Sequence, residues 1–522
     1  MIQSHLEAIE GHRYHFHPQG DDSAGDGSCE RPFATLARIA RTPVAPGDEI
    51  LLAGGEHFAG PLVIAPGQGG SAVAPVVVRS WGEGRAIIEA DGETPGIILT
   101  NTEGVELRDL EVRGPGPEHS ASEGIRLFCD LPGGLRLRHL RIEHVEVSGF
   151  ARGGVVVGAR HPSGSGFDDL MMNHVDCHDC GDAGIVTWGH VLPGALTTSH
   201  RRITLSHCRA WGNHGQPGKT DHHTGSGIVI SGVEGALVEL CEAYNNGRDN
   251  RSDQGGPVGI WCWHARGVVI QRCIAHHNRT ASSKDGGGFD IDGGCEDCVL
   301  QANYSYANDG AGFMLAQYEG AAAYRRNTIR FNISQNDGRR NGYGGIHLRS
   351  CGSNGGMQQC RVHHNTVYVA PAGAEPASAI HASGAGPIEV LIANNRLLVE
   401  GCPLVDCALI TGLVWRDNAA WAGAGGAVRW GEQGYASISD WLAACDPRMS
   451  PVHPLDEPGV VAAGKGAPLA DPESLGCLRA YCLDGCTAIA GMRLAELGLE
   501  HGARDFLGKE LSADWDGVGA IG

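Results

Sequence analysis

A glycine followed by a large apolar residue recurs eight times along this chain, and that recurrence leaves few folds open. The phrase stands at Gly124-Ile125, Gly154-Val155, Gly184-Ile185, Gly227-Ile228, Gly259-Ile260, Gly288-Phe289, Gly312-Phe313 and Gly345-Ile346, in steps of 30, 30, 43, 32, 29, 24 and 33 residues. A period in this range marks a stacked architecture, in which each repeat buries its apolar face against the next.

A second phrase says what is stacked. Cys208, Cys241 and Cys273 hold one position of it, and Asn303, Asn332, Asn365 and Asn395 take that position over, in steps of 33, 32, 30, 29, 33 and 30 residues. Short alternating runs surround each, such as Val238-Glu-Leu-Cys-Glu-Ala and Ile329-Arg-Phe-Asn-Ile-Ser. Alternation over a few residues bounded by Gly, Asn and Asp signals strands, and none of these runs is long enough for a helix. The expectation is an all-β fold, a single-stranded right-handed parallel β-helix with like residues in columns. A buried Asn column survives because each amide can bond the amides above and below it.

This pattern resembles the pectate-lyase-like right-handed parallel β-helix superfamily, with its PbH1 repeats, over most of the chain. The phrase RPFATL…PGDEILLAGG resembles the opening of bacterial β-helix proteins in which a helix plugs the first coil, so a helix is expected over Phe33–Ala40. Without a plug the first coil exposes core side chains and a free strand edge. The organisation expected is a leader and helical cap at 1–48, the β-helix carrying the site at 49–425, and a C-terminal capping segment with short helices at 426–522. Strands are expected at Glu49–Leu52, Pro61–Ile64, Val76–Arg79, Ala86–Ala90, Ile97–Thr100 and Val105–Val112. Helices are expected at Ala436–Ala444 and Cys486–Leu497, and the closing run Gly502…Ile521 is expected to seal the last coil.

Charge narrows the partners. With 60 acidic against 40 basic residues the net charge is −20, which argues against nucleic acid or an anionic membrane surface. No apolar run reaches the length of a membrane span. The amino terminus lacks the charged-then-apolar build of a secretion signal, so a cytoplasmic location is expected, with an exported mature form as the alternative. The 18 cysteines read mainly as small buried filling. Cys351 with Cys360, Cys402 with Cys407, and Cys482 with Cys486 are close enough in sequence to bridge in an oxidising compartment. The CxxC pairs Cys177/Cys180 and Cys295/Cys298 have zinc-knuckle spacing but sit within the repeat.

Alternation also assigns faces. If Ile185, Ile228, Ile260, Phe289, Phe313 and Ile346 point inward, one outward column is Val186, Val229, Trp261, Asp290, Met314, His347, His381. The next is Trp188, Ser231, Trp263, Asp292, Ala316, Arg349, Ser383. Polar and aromatic groups therefore gather on neighbouring coils. Asp290, Asp292, Asp309, His347 and Arg349 are the candidate catalytic residues. Trp261, Trp263, His264, Lys284, Gln317, Tyr318, His222 and His223 are candidates to bind a poly- or oligosaccharide, which needs flat apolar faces together with donors and acceptors for its hydroxyls.

Two carboxyl groups on one strand face suit glycoside hydrolysis, which needs an acid for the leaving oxygen and a second carboxylate as base or nucleophile. Elimination on a uronate polymer is the alternative, and a non-catalytic carbohydrate-binding coil the third reading. Lys284-Asp-Gly-Gly-Gly-Phe-Asp-Ile-Asp292 followed by Asn308-Asp-Gly-Ala-Gly-Phe313 resembles the DGF…K…DDGW layout of calcium-dependent family 9 polysaccharide lyases. The position of that family's lysine base is Asp292 in this chain. The resemblance implies that Asp285, Asp290, Asp292 and Asp309 form an oxygen cage for Ca²⁺; hydrolysis without a cofactor needs none. The β-helix glycosidases similar to polygalacturonase also carry Asp clusters on this face.

Overall fold

The structure is a computed structural model that describes residues 11–352, 354–372, 377–408, 411–445, 451–484, 489–512 and 514–521. The chain divides into two units, residues 1–190 with 199–209, and residues 191–198 with 210–522. Each is a parallel β-helix, and its hand is that expected of parallel crossovers between right-twisted strands.

In the first unit the strands Leu62–Ile64, Ile97–Thr100, Ile125–Cys129, Gly153–Ala159 and Ala183–Trp188 pair in parallel, coil on coil. A second face stacks Glu49–Ala53, Val76–Trp81, Val105–Arg108, Arg136–Ser148 and Gly166–His178. The expected strand Val105–Val112 is broken into Val105–Arg108 and Leu110–Arg113, because Asp109 turns a corner at φ 52°. Alternation is clean where one face meets water: in Val76–Trp81 every second residue is buried.

The expected N-terminal helix over Phe33–Ala40 is a six-residue 3-10 helix, Leu36–Arg41. The Asp22 carboxylate explains the late start. Its Oδ1 accepts the amides of Ala34 and Thr35 at 2.7 and 3.1 Å, and its Oδ2 accepts the Thr35 hydroxyl at 2.5 Å, holding this stretch extended. Leu36 and Ile39 of this short helix are buried.

The second unit holds the polar column read from the sequence. The backbone amides of Asn303, Asn332, Asn365 and Asn395 each donate to the side-chain oxygen one coil on, at 2.9–3.0 Å, and the series continues to Asn418. The Cys273 amide starts it on Asn303 Oδ1 at 2.9 Å. The residue before each member turns the corner in the left-handed region: Arg272, Ala302, Phe331, His364, Asn394 and Asp417 have φ from 50° to 55°. Each such non-glycine corner costs about 1–2 kcal/mol, and the fully satisfied buried amides offset it.

A second ladder escaped the sequence reading. Asn213, Asn246, Asn278 and Asn308 repeat the same bonding and end on Asp337, whose Oδ1 accepts both Asn308 N and Nδ2, at 3.0 and 2.9 Å. Its signal was present at steps of 33, 32, 30 and 29 residues, but it falls in turn-rich stretches.

The C-terminal stretch is mostly irregular. An α-helix spans Ile438–Ala444, capped by Ser437 Oγ on Asp440 N at 3.1 Å. Cys486 lies outside the described residues, and the helix expected to follow it is a 3-10 turn, Leu494–Leu497. Residues Leu475, Tyr481, Phe506 and Ile521 pack over Tyr304, Tyr306, Ile333 and Tyr368, which would otherwise present a bare apolar face. The closing run thus covers the side of several coils, with Ala520 N on Thr366 Oγ1 at 2.9 Å. All described cysteines are free thiols, including Cys351, Cys360, Cys402 and Cys407. No helix among the described residues is long and apolar enough to cross a membrane.

Candidate functional site

Six strands of the second unit carry the site: β1 (Ser226–Ser231), β2 (Val258–Trp263), β3 (Gly287–Ile291), β4 (Phe313–Gln317), β5 (Gly344–Ser350) and β6 (Ser378–Gly384). Their register follows the glycine phrase. Ile228, Ile260, Phe289, Phe313, Ile346 and Ile380 stand opposite one another and are at most 1% exposed. The outward column is also in register: Val229, Trp261, Asp290, Met314, His347 and His381.

That column is not open to water. Trp261, Asp290, Met314 and His347 are 4, 2, 6 and 4% exposed. Met314 and Ala316 pack with Tyr343 from the preceding loop of β5. The ring of His223 meets Trp261 edge-on at 5.3 Å, while Trp261 Nε1 donates to Ser226 Oγ at 3.2 Å.

Asp290 is therefore a correction to the expected solvent-facing pair. Its carboxyl is pushed well above the ordinary range by burial first, then by Asp292 and Asp285, and its Oδ1 has no hydrogen-bond partner. It lies beneath the cleft floor, where burial favours its neutral form. His347 lies at the same depth, with Nε2 on Ser383 Oγ at 2.9 Å and its ring stacked on His381 at 4.5 Å. Burial holds it well below the usual histidine range, so it is neutral.

Above this floor lies a cleft of about 560 Å³. Its walls include Trp261, Trp263, Tyr318, Asp292 and Arg349, with Lys284, Asp285, Asp253, His222, His223 and Tyr343 reaching in from the loops. The volume is within the range of small-molecule sites, roughly 300–1,000 Å³. Tyr318 is 40% exposed, and its ring lies over Gly293, where any Cβ would collide with it at 2.2 Å. Gly293 thus lets an aromatic face sit beside Asp292.

Asp292 projects from the end of β3, with its Oδ1 accepting Gly293 N at 2.7 Å. Burial raises its pKa to about 7, against the lowering by that amide; Asp285 raises it further and Arg349 lowers it. Asp285 is held firmly: Oδ1 accepts the Tyr343 hydroxyl at 2.9 Å and Oδ2 accepts Gly256 N at 2.8 Å. Burial raises its pKa, and these bonds oppose the rise. Asp253 accepts Ser283 Oγ and N at 2.8 and 3.2 Å, bonds that lower its pKa.

The cleft also contains two cations that act on its carboxylates only through space, Arg349 on Asp285 and Asp292 and Lys284 on Asp285 and Asp253. Neither the Lys284 ammonium nor the Arg349 guanidinium has a hydrogen-bond or ion-pair partner among the described residues. Opposite them in kind is His223, whose pKa burial lowers to about 4, leaving a neutral ring. His222 lies 3.6 Å from Asp221 at the rim.

Three expected site residues are engaged elsewhere. Asp309 does not line the cleft; it pairs with Arg279 at 3.2 Å and Arg340 at 3.1 Å and accepts Thr280 N at 3.2 Å. His264 is 3% exposed, with Nε2 accepting Thr197 N at 3.2 Å. Gln317 touches the cleft but spends its amide on Gly294 N at 3.1 Å and Ala322 O at 2.9 Å, fixing the loop after β3. The expected cage of Asp285, Asp290, Asp292 and Asp309 does not converge: among the described residues the sole group of three or more potential ligands within 4.8 Å of one another is Cys262, Cys295 and Cys298. Arg279 and Arg340 hold Asp309 aside, and Asp290 lies under the floor. Gln254, Gly255 and Cys351 also line the cleft without having been read as site residues, while Met314 and Ala316 stand where the outward columns put them.

The coil and its register define a right-handed parallel β-helix, and the family described as the right-handed beta helix region matches residues 91–329. Among solved structures the chain is similar to the native GH136 lacto-N-biosidase from Eubacterium ramulus, at 18% identity and a TM-score of 0.53, over 68% of this chain and 64% of that one. The chain thus spans less than two thirds of that structure. The selenomethionine derivative of the same protein gives 18% identity and 0.53 over 73% and 68%. The mannuronan C-5 epimerase AlgE4 A-module from Azotobacter vinelandii follows at 16% identity and 0.48, over 74% and 90%. No curated protein matches. At these identities the likeness is one of fold.

Proposed function

We propose that this chain is a carbohydrate-active enzyme that cleaves glycosidic bonds in a poly- or oligosaccharide, by hydrolysis. The observation that carries this reading is Asp292 in the cleft wall, protonated up to about pH 7, beside Asp285 and next to the open face of Tyr318. Glycoside hydrolysis needs an acid that keeps its proton near neutrality and a second carboxylate that has lost its own. Asp292 is the proton donor. Asp285, whose bonds from Tyr343 and Gly256 favour its ionised form, is the carboxylate. Trp263 and Tyr318 give the sugar ring a surface to stack on. The enzymes whose names accompany the similar folds, a lacto-N-biosidase among them, act on carbohydrates, which is consistent with the reading.

A second reading rests on Lys284 and Arg349. The Arg349 guanidinium favours a carboxylated sugar, and a uronate held by it is open to β-elimination with Lys284, in its uncharged amine form, taking the proton. A calcium ion, if required, would bind cleft carboxylates with water completing its shell. Incubation with a panel of neutral and uronate saccharides separates the two. Hydrolysis yields new reducing ends alone, whereas elimination adds the ultraviolet absorbance of a conjugated double bond. Dependence on calcium after chelation would assign a metal step. Retention of full activity by Asp292→Asn would sink the hydrolytic assignment.

A further inference from the structure

We propose that Cys262, Cys295 and Cys298 form a site for one thiophilic d10 cation, copper(I) or zinc(II), inside the coil behind the cleft. The inference does not rest on the proposed activity. The three sulfurs lie within 4.8 Å of one another, with Cys262 Sγ and Cys295 Sγ 3.9 Å apart, and all three residues are 0% exposed. A point equidistant from three sulfurs at such spacings is about 2.3–2.8 Å from each, and metal–thiolate bonds are about 2.3 Å. A small contraction therefore closes the site around an ion.

The connectivity is that of a chelate. Cys295-Glu-Asp-Cys298 supplies two ligands from one turn, and Cys262 supplies the third from β2, one coil away. Thiolate sulfur selects soft cations such as copper(I) and zinc(II) over calcium or magnesium. Three ligands with no fourth His, Cys, Asp or Glu atom in the group favour copper(I), because structural zinc is almost always four-coordinate. Each ligating thiol gives up its proton as the ion enters.

Cys262 and Cys295 differ from the other core cysteines, whereas Cys298 shares their contact to the carbonyl two residues back. Cys241 and Cys273 turn their sulfurs onto the carbonyls of Glu239 and Gln271, at 3.3 and 3.2 Å, as small filling does. The sulfurs of Cys262 and Cys295 instead meet each other. Cys298 Sγ contacts the carbonyl of Glu296 at 3.4 Å, a weak bond that it can exchange for a metal. The location gives the ion a consequence. Cys262 lies between Trp261 and Trp263, and Cys295 follows Asp292 by three residues, so a bound cation ties the aromatic wall to the loop carrying the acid.

The test uses the full chain, produced in copper-supplemented and in zinc-supplemented medium and purified without oxygen in the presence of reductant. Elemental analysis should find about one equivalent of one of the two metals per chain, falling at least about tenfold in Cys262→Ser and Cys295→Ser but not in Cys241→Ser. The arm that loads identifies the cation. X-ray absorption on the loaded wild-type protein, which needs no variant to fold, should show sulfur neighbours at about 2.3 Å and no nitrogen shell. A wild-type protein that holds less than about a tenth of an equivalent in both arms, or sulfur-free coordination of what it holds, overturns the site.

Discussion

Tyr343 and Asp285, 58 residues apart in sequence, bond each other twice: the Tyr343 hydroxyl donates to Asp285 Oδ1 at 2.9 Å and accepts from Asp285 N at 3.0 Å. The pair fixes a loop carboxylate against the cleft, and its hydroxyl stabilises the ionised form that burial opposes. Tyr343→Phe removes that donor. A hydrogen bond to a charged group is worth about 1.5–3 kcal/mol, or roughly one to two pH units. The acidic limb of the kcat/KM profile should therefore move to higher pH by that amount, since Asp285 must lose its proton to act. Far-ultraviolet circular dichroism should be unchanged. An acidic limb that stays in place would mean that Asp285 is not the ionised partner.

The sequence placed Asp292 in the strand-face pair and Asp309 in a neighbouring loop as an alternative partner, and their surroundings separate them. Asp292→Asn removes the cleft acid and should cost about 10²–10⁴-fold in kcat, the usual contribution of general acid catalysis. In the wild type the rate should fall as pH rises through about 7, where Asp292 loses its proton. Asp309→Asn should leave kcat within about twofold, while weakening two partly exposed ion pairs and lowering stability by about 1 kcal/mol. Steady-state rates and urea midpoints on both variants decide the matter. Equal losses of rate in the two would contradict the placement.

The coil itself was legible because its signals are local. The glycine phrase fixes which of Ile260, Phe289, Phe313 and Ile346 face inward, and their pairing follows it without a slip. The Asn303–Asn395 ladder was equally plain, since only like residues at one corner can satisfy each other's amides. The site was half legible. Alternation says on which side of a strand Asp290 stands, but not what lies over that side. Tyr343, His223 and the loop at Asp285 do the covering; each stands just before a glycine phrase, but alternation along a strand does not say how a loop folds over it. For the same reason the partners of Asp309, Arg279 and Arg340, could not be matched to it from spacing.

Arg349 and Lys284 give a prediction about substrate charge. An unpaired guanidinium in a half-closed cleft should bind a carboxylate in two parallel bonds. If the natural saccharide is acidic, Arg349→Gln should raise KM about 10–100-fold, the value of a lost charged hydrogen bond, with a smaller change in kcat. Added salt should weaken wild-type binding and affect the variant less. On a neutral saccharide the variant and wild type should behave alike. A KM that is indifferent to Arg349 on every acidic substrate would remove the carboxylate contact and, with it, the main support for elimination.

Asp337 ends the second amide ladder with a carboxylate where its predecessors use Asn. It is buried, with Oδ1 on Asn308 N and Nδ2 and Oδ2 taking the Ser334 hydroxyl at 2.7 Å. Burial raises its pKa from 3.8 to about 6 against the pull of those bonds. The folded state therefore holds this proton more tightly than the unfolded chain. The stabilisation is complete below about pH 3.8 and is lost as pH rises through about 6. At 1.36 kcal/mol per unit the loss amounts to about 3 kcal/mol at neutral pH. Asp337→Asn keeps the acceptor for Asn308 and offers Ser334 a donor, with no charge to desolvate. The variant should thus be more stable than the wild type at pH 7 by up to about 3 kcal/mol, and the difference should shrink towards zero near pH 4. Urea midpoints measured across that interval test this directly, and a difference that is flat with pH would show that Asp337 does not titrate in the ladder.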